Sequence, residues 1–204
     1  MFEVDRSIKR FHDDPDWKFA SGKEANQIPF DRGGYPYTLH DLGGRDLYAF
    51  RGWVGGYPAL LVHALAHRRG SKYPPEFSLA VLTLPFKYPD TAVTSQGLAR
   101  TYRIHEHAPY TRGGGPVGLL PGSWPDPEVH WQSSVPEFGL ALATPEVQRL
   151  TLEADCGWRL ADRHLIGWTG GKCSFDHLLT MAKQLRRISD AFSLEAQRWR
   201  TPVV

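Results

Sequence analysis

Between Asp46 and Phe86 three apolar, aromatic-rich runs follow one another. Leu47, Tyr48, Phe50, Trp53 and Val54 form the first, Tyr57, Leu60, Leu61, Val62 and Leu65 the second, and Leu79 to Phe86 the third. Gly55-Gly56 separates the first two, and glycine adopts the positive φ angles of a tight hairpin turn at no steric cost. The polar stretch 68–76 (RRGSKYPPE) separates the second from the third. Short apolar runs bounded by Gly and Pro predict three successive antiparallel strands. Any fold for this chain has to be built around that sheet.

The remaining segments are added to the strand unit without alternating with it. Residues 1–45 read as an N-terminal arm. Phe2, Val4, Ile8 and Phe11 have helical spacing, and Asp13-Asp14-Pro15 ends that helix. Large residues then stand singly among Gly, Pro and Asp: Trp17, Phe19, Phe30, Tyr35 and Tyr37. Such residues anchor an irregular segment either to the chain's own core or to another copy. Lys87–Arg100 has room for a short strand and a turn. The stretch 101–127, with Gly113-Gly114-Gly115 and five prolines, reads as an irregular insert, and a loop that long inside a domain is usually functional or mobile.

Regular structure resumes with a strand at Val129–Gln132. Pro136 opens a short segment through Leu142 that the pattern allows as either helix or strand. Thr144-Pro145-Glu146 supplies a hydroxyl cap, a proline for the first turn and an acid at the positive dipole end, so a helix follows. Ala161-Asp162-Arg163 lies between two apolar runs as a second hairpin turn. Ser174 caps the longest helix, whose Leu178, Met181, Ala182, Leu185, Ile188 and Phe192 fall at spacings of three and four. Strands and helices are segregated, which predicts the α+β class: an antiparallel sheet with helices packed on one face and a long C-terminal helix. Residues 46–204 form a single domain in this reading.

Several phrases resemble an uncharacterised soluble domain family of high-GC, actinobacterial-type bacteria, sometimes found C-terminal to membrane helices. They are GWVGGYPALLVHA, LTLPF, EVHWQSSVPEFGLALATPEVQRL, and the hairpin from Trp158 to Trp168 that leads into the last helix. The resemblance covers residues 46–192 apart from the insert. It implies a glycine-turn hairpin, a helix after Ala143-Thr144-Pro145, and a closing hairpin and long helix. It implies no catalytic residue.

Charge excludes some partners. Lys and Arg exceed Asp and Glu by 24 to 22, giving a net +2, so no nucleic-acid partner is expected. The pairs Arg68-Arg69 and Arg186-Arg187 lack interleaved aromatics and read as solvated faces. No run approaches the ~20 apolar residues of a membrane span, and the charged N-terminus has no signal-peptide core. A cytoplasmic location is the expectation, with Cys156 and Cys173 reduced.

Three local clusters carry chemistry. His105 and His107 in the phrase His-Glu-His would share one strand face, half of a metal site that His63, His67 or His130 could complete by chemistry alone. Cys173 stands before a helix N-cap with His177 one turn on, the arrangement of an activated thiol nucleophile. Arg112 and the three following glycines could cradle an anion, but neither a Walker sequence nor GxGxxG spacing is present. None of the three is a complete constellation. The expectation is therefore a non-catalytic interaction or scaffold module, with no cofactor, that binds a protein partner or its own copy as a homo-oligomer. The contact residues expected are Trp17, Phe19, Phe30, Tyr35, Tyr37, Tyr102, Tyr110 and Trp124, because Trp and Tyr are enriched at interface anchors. The alternative is an enzyme using His105 and His107, or Cys173 and His177.

Overall fold

In the computed structural model the described residues are 2–30, 45–65, 76–95, 129–154 and 156–203. Their strands are β1 (Lys18–Ser21), β2 (Arg45–Val54), β3 (Tyr57–Leu65), β4 (Glu76–Thr83), β5 (Phe86–Lys87), β6 (Thr91–Ser95), β7 (Val129–Ser133), β8 (Gly157–Ala161), β9 (His164–Gly170) and β10 (Thr201–Pro202). Eight of them form one sheet in the order β1-β2-β3-β4-β9-β8-β6-β7, and β10 pairs with β5 separately. Every neighbouring pair is antiparallel. The helices are α1 (Phe2–Asp13), α2 (Gly22–Ala25), α3 (Pro136–Leu142), α4 (Pro145–Ala154), α5 (Phe175–Asp190) and α6 (Leu194–Gln197). The class is α+β, as the segregation of elements predicts.

The three central strands arise where the apolar runs place them. Gly55 and Gly56 have φ of 56° and 84°, the left-handed geometry of a two-residue turn between paired Val54 and Tyr57. The third strand starts earlier and stops earlier than its hydrophobicity suggests. Glu76 to Ser78 join the ladder because Leu65, Ala64 and His63 lie opposite them. The ladder ends at Thr83, and Pro85, which has no N–H to donate, separates β4 from the short β5. The second hairpin turns at Asp162 with φ of 56°, between paired Ala161 and His164.

Side chains alternate between the two sheet faces with period two. Phe50, Leu61, Leu82, Leu165, Trp158 and Leu160 line one face together with residues of α1 and α3–α6. Ala49, Leu60, Val62, Leu79, Val81, Ile166 and Trp168 line the other. The long helix α5 lies on the first face with the expected stripe buried, Leu178, Met181, Ala182, Leu185 and Ile188, while Phe192, the stripe's sixth residue, is buried just beyond the helix end. Ser174 accepts from the His177 N–H as its cap. At α4 the Thr144 hydroxyl accepts from the Val147 N–H. The ambiguous segment after Pro136 is helical, with Phe138 and Leu142 turned into the core. The first-face cluster also takes in Phe11 and Trp17. Ala25 of the one-turn α2, with Phe30 and the partly buried Ile28, packs on the second face. No helix of the described residues is long and apolar enough to cross a membrane.

Candidate functional site

The residues singled out in the sequence land in different places. His105, His107, Tyr35, Tyr37, Tyr102, Tyr110 and Trp124 lie outside the described residues, as does His67. Among the described residues, no group of three or more His, Cys, Asp or Glu side chains could hold a metal ion. Trp17 is buried, with Phe11 5.2 Å away between ring centres. Its ring lies over Gly52, where a Cβ would come within 2.7 Å of it. Phe30 is buried on the second sheet face. Phe19 is part-exposed and packs edge-on against Phe50. The segment read as an arm is thus tied into the sheet at β1, whose four residues pair with Tyr48–Arg51.

The Cys173–His177 pair lacks the electrostatics of an activated thiol. The two cysteines are not joined in a disulfide, Cys156 being buried and Cys173 half-buried. Burial pushes the Cys173 thiol up rather than down, the Ser78 hydroxyl opposing only in part. His177 is exposed, and the contact it makes at the cap is through its backbone N–H. The helix dipole, which favours thiolate in principle, is outweighed here by desolvation.

A buried polar knot that the sequence reading passed over lies on the same helix N-terminus. His63 of β3 and Ser78 of β4 are directly opposite in register and both buried. The Ser78 Oγ lies 2.8 Å from the Gly171 carbonyl, 3.1 Å from the Cys173 N–H and 3.0 Å from His63 Nδ1. A hydroxyl has one proton and two lone pairs. The carbonyl can only accept, so the hydroxyl proton goes to Gly171. The two lone pairs then accept from Cys173 N–H and from His63, which must carry its proton on Nδ1. His63 Nε2 has no hydrogen-bond partner among the described residues. The imidazole stands edge-on to Phe175, 4.7 Å between centres, and 5.2 Å from the Tyr48 ring. Burial first, and the positive charge of Lys172 second, lower its pKa to about 4.

This Ser-His pair is wired opposite to a nucleophile and its base. A general base must accept the hydroxyl proton, whereas here the serine donates to a backbone carbonyl and the imidazole donates to the serine. The knot's work is mechanical: it joins β3, β4 and the turn from β9 into α5. The signal for it in the sequence is a lone polar residue in each of two apolar strands, His63 and Ser78, at positions that alternation puts on one face.

A cleft of about 810 Å³ opens between Phe30, Tyr88, Val135, His164 and Trp199. Its polar groups are committed to one another. Lys87 Nζ pairs with Asp162 at 2.9 Å, the Asp90 carboxylate accepts from the Asp162 N–H, and the Tyr88 hydroxyl accepts from Arg200. The first two contacts tie the β8–β9 turn to the segment from β5 to β6, and the third, with the β10–β5 ladder, holds the C-terminal segment there. Large apolar side chains are exposed elsewhere. Leu140 of α3 is 51% exposed, Leu194 of α6 82%, and Trp53 near the end of β2 68%. The sequence places Trp53 in an apolar run without showing which face it takes. Alternation puts it with Arg51, not with buried Phe50 and Val54.

No family profile matches this chain, and no curated protein matches it. A solved structure does: the crystal structure of the mycobacterial trehalose monomycolate transport factor A, TtfA. The TM-score is 0.66 at 10% sequence identity, over 100% of this chain and 99% of that one. At that identity the likeness is one of fold.

Proposed function

We propose that this chain is a non-catalytic accessory module that works by binding another protein. The observation that carries the reading is the contrast between its polar and its apolar groups. The Ser78 hydroxyl, His63 Nδ1 and the Cys173 backbone N–H that come together at the head of α5 are committed to structural hydrogen bonds, while Trp53, Leu140 and Leu194 stand in water. Large apolar side chains exposed in numbers mark contact surfaces better than they mark reaction sites. The shared fold supports the reading, because the neighbour is named as a transport factor; this chain would likewise assist a process that other components carry out. A cytoplasmic location and assembly with its own copy belong to the same proposal.

The test is recovery of a complex from the native host. Tagged chain isolated through two successive affinity steps should bring down one protein in near-stoichiometric amount. Hydrogen exchange on that complex should show new protection at one or more of the exposed apolar residues. A chain that emerges alone and monomeric, with exchange unchanged on adding host extract, would overturn the proposal.

A further inference from the structure

We infer that the hollow beside Trp53 is the docking site for an acidic, apolar-anchored peptide segment of a partner protein. The inference rests on the interaction-module reading and says where the contact is made. The hollow has a volume of about 340 Å³ and is lined by Lys18, Arg51, Trp53, Pro58, Leu60 and Thr83, with Asp16 and Ile28 at its rim.

Strand register explains why these side chains converge. Lys18 is opposite Arg51, and Arg51 is opposite Leu60, so the three form one row across β1, β2 and β3. Trp53 opposite Pro58 starts the next row, and Thr83 follows Leu82, the partner of Ala59, into it. Both rows lie on the second sheet face, the face of Leu60 and Ala49. Further along that face Ala25 and Phe30 cover the strands. At this end Trp53 stays 68% exposed.

A single exposed tryptophan is ordinary. The coincidence of three features is not. Part of the lining is apolar, with buried Leu60 beside Trp53 and Pro58. Lys18 and Arg51 are exposed and make no ion pair within 4 Å among the described residues; Arg51 acts at longer range on the Glu24 carboxylate, outside the hollow's lining. The lining has two cations against one carboxylate, Asp16. Tryptophan and arginine are the residues most enriched where binding energy concentrates, and they do so around pockets that exclude water. An arginine with its fork free accepts a carboxylate in two parallel hydrogen bonds. The fitting occupant has one or two apolar side chains for the hollow and an Asp or Glu beside them. A flat lipid surface would leave a concave site of this size unfilled, so a peptide segment fits it better.

A library of short random peptides displayed on phage, selected against the full chain, tests this. Selected peptides should combine Asp or Glu with Leu, Ile or Phe. Synthesised singly, they should bind at least ~10-fold more weakly to Trp53→Ala and to Arg51→Glu, the scale of a hot-spot residue. Replacing the peptide's acid by Lys should recover binding to Arg51→Glu. Leu194→Ala should bind as the parent does. Thermal melts of each variant separate lost binding from lost fold. Peptides without acid enrichment, or binding indifferent to Trp53→Ala, would overturn the inference. So would co-sedimentation with phosphatidylglycerol vesicles that Trp53→Ala abolishes, because the surface would then belong to lipid. If the host complex forms undiminished with Trp53→Ala while no peptide binds, the docking inference fails and the interaction module stands.

Discussion

The two faces of the sheet are built differently. On one, Phe50, Leu61, Leu82 and Leu165 meet helices drawn from both ends of the chain: α1 at the start, α3 to α6 at the end. On the other, Leu60, Val62, Leu79, Val81 and Ile166 are just as buried, yet the described residues that pack over them are small or few: Ala25, Ile28 and Phe30. The helical face holds the polar knot at the head of α5. The second face runs out at the hollow beside Trp53. An amphipathic helix brings a whole stripe to the sheet at once, and cooperativity follows from that geometry. Where the described segments over the second face stop, Trp53 stands in water. Stability should concentrate on the first face and recognition at the edge of the second.

The strongest break in that comparison is removal of α5. Ending the chain before Ser174 takes away all six buried stripe residues, Phe192 included, and should abolish cooperative thermal unfolding altogether. A truncated chain that melts like the whole would show that the stripe serves another purpose. A finer measurement compares single cavities. Leu185→Ala on the helical face and Leu79→Ala on the other remove fully buried side chains, and each should cost about 2–5 kcal/mol in denaturant titrations. A loss under about 1 kcal/mol at Leu79 would mean that the second face is not a core in the sense the first is.

Acid should act through the first face. His63 has its pKa lowered from 6.5 to about 4 in the folded chain. The unfolded chain therefore takes up the proton first, and falling pH favours unfolding. The contribution is complete above about pH 7, declines as pH falls from 6.5 towards 4, and amounts to roughly 3 kcal/mol across that window. Urea midpoints measured through the window should fall steeply in the parent. In His63→Phe, which cannot titrate, the same curve should be flatter by about that amount. Parallel curves would place the acid sensitivity elsewhere.

How much of this the sequence discloses depends on whether a feature is local. Caps, turns and stripes are local, and Gly55-Gly56, Thr144-Pro145, Ser174 and the α5 stripe all read correctly from neighbouring residues. The strand limits of β4 depend on what pairs with it, so hydrophobicity alone begins the strand at Leu79 where the ladder begins at Glu76. The knot needs His63, Ser78 and Gly171 together, and those are separated by 15 and 93 positions. No spacing rule links them. The aromatic residues of the N-terminal segment show the same limit. Trp17 and Phe19 are two residues apart and look alike in sequence, yet Trp17 is packed over Gly52 while Phe19 is 43% exposed. Only the pairing of β1 with β2 decides between them. The hollow was illegible for the same reason, because its rows come from four strands.

The turn at the end of the first hairpin should show an intermediate effect. Gly55 and Gly56 both occupy the left-handed region, where a Cβ costs roughly 1–2 kcal/mol per residue. Valine at either position should therefore lower stability by that much. Gly55 adds a second constraint: Arg186 donates to its carbonyl at 2.7 Å and stacks on Tyr57 at 4.1 Å, tying the hairpin tip to α5. Gly55→Val should cost more than Gly56→Val, since a Cβ at Gly55 meets Arg186 at 3.3 Å whereas Gly56 has nothing within 4 Å. Equal losses would mean that the Arg186 contact contributes little.

The smallest expected effect is the one that separates the faces most cleanly. Trp53 differs from Trp168 on the same sheet face only in where it stands: Trp168 is fully buried and Trp53 is 68% exposed. Truncating a buried tryptophan costs about 3–5 kcal/mol, whereas surface substitutions away from special backbone or buried polar groups stay within about ±0.5 kcal/mol. Trp53→Ala should thus leave the denaturation midpoint where it is, while Trp168→Ala should bring the protein near unfolding. Burial has a thermodynamic signature as well, because unfolding exposes less new apolar surface when a residue is already in water. The denaturant m-value, which scales with surface newly exposed, should be unchanged for Trp53→Ala. A loss of more than about 1 kcal/mol there would mean that Trp53 is packed in solution. The boundary of the second face would then lie further out, and the side chain best placed to meet a partner would already be in use by the fold.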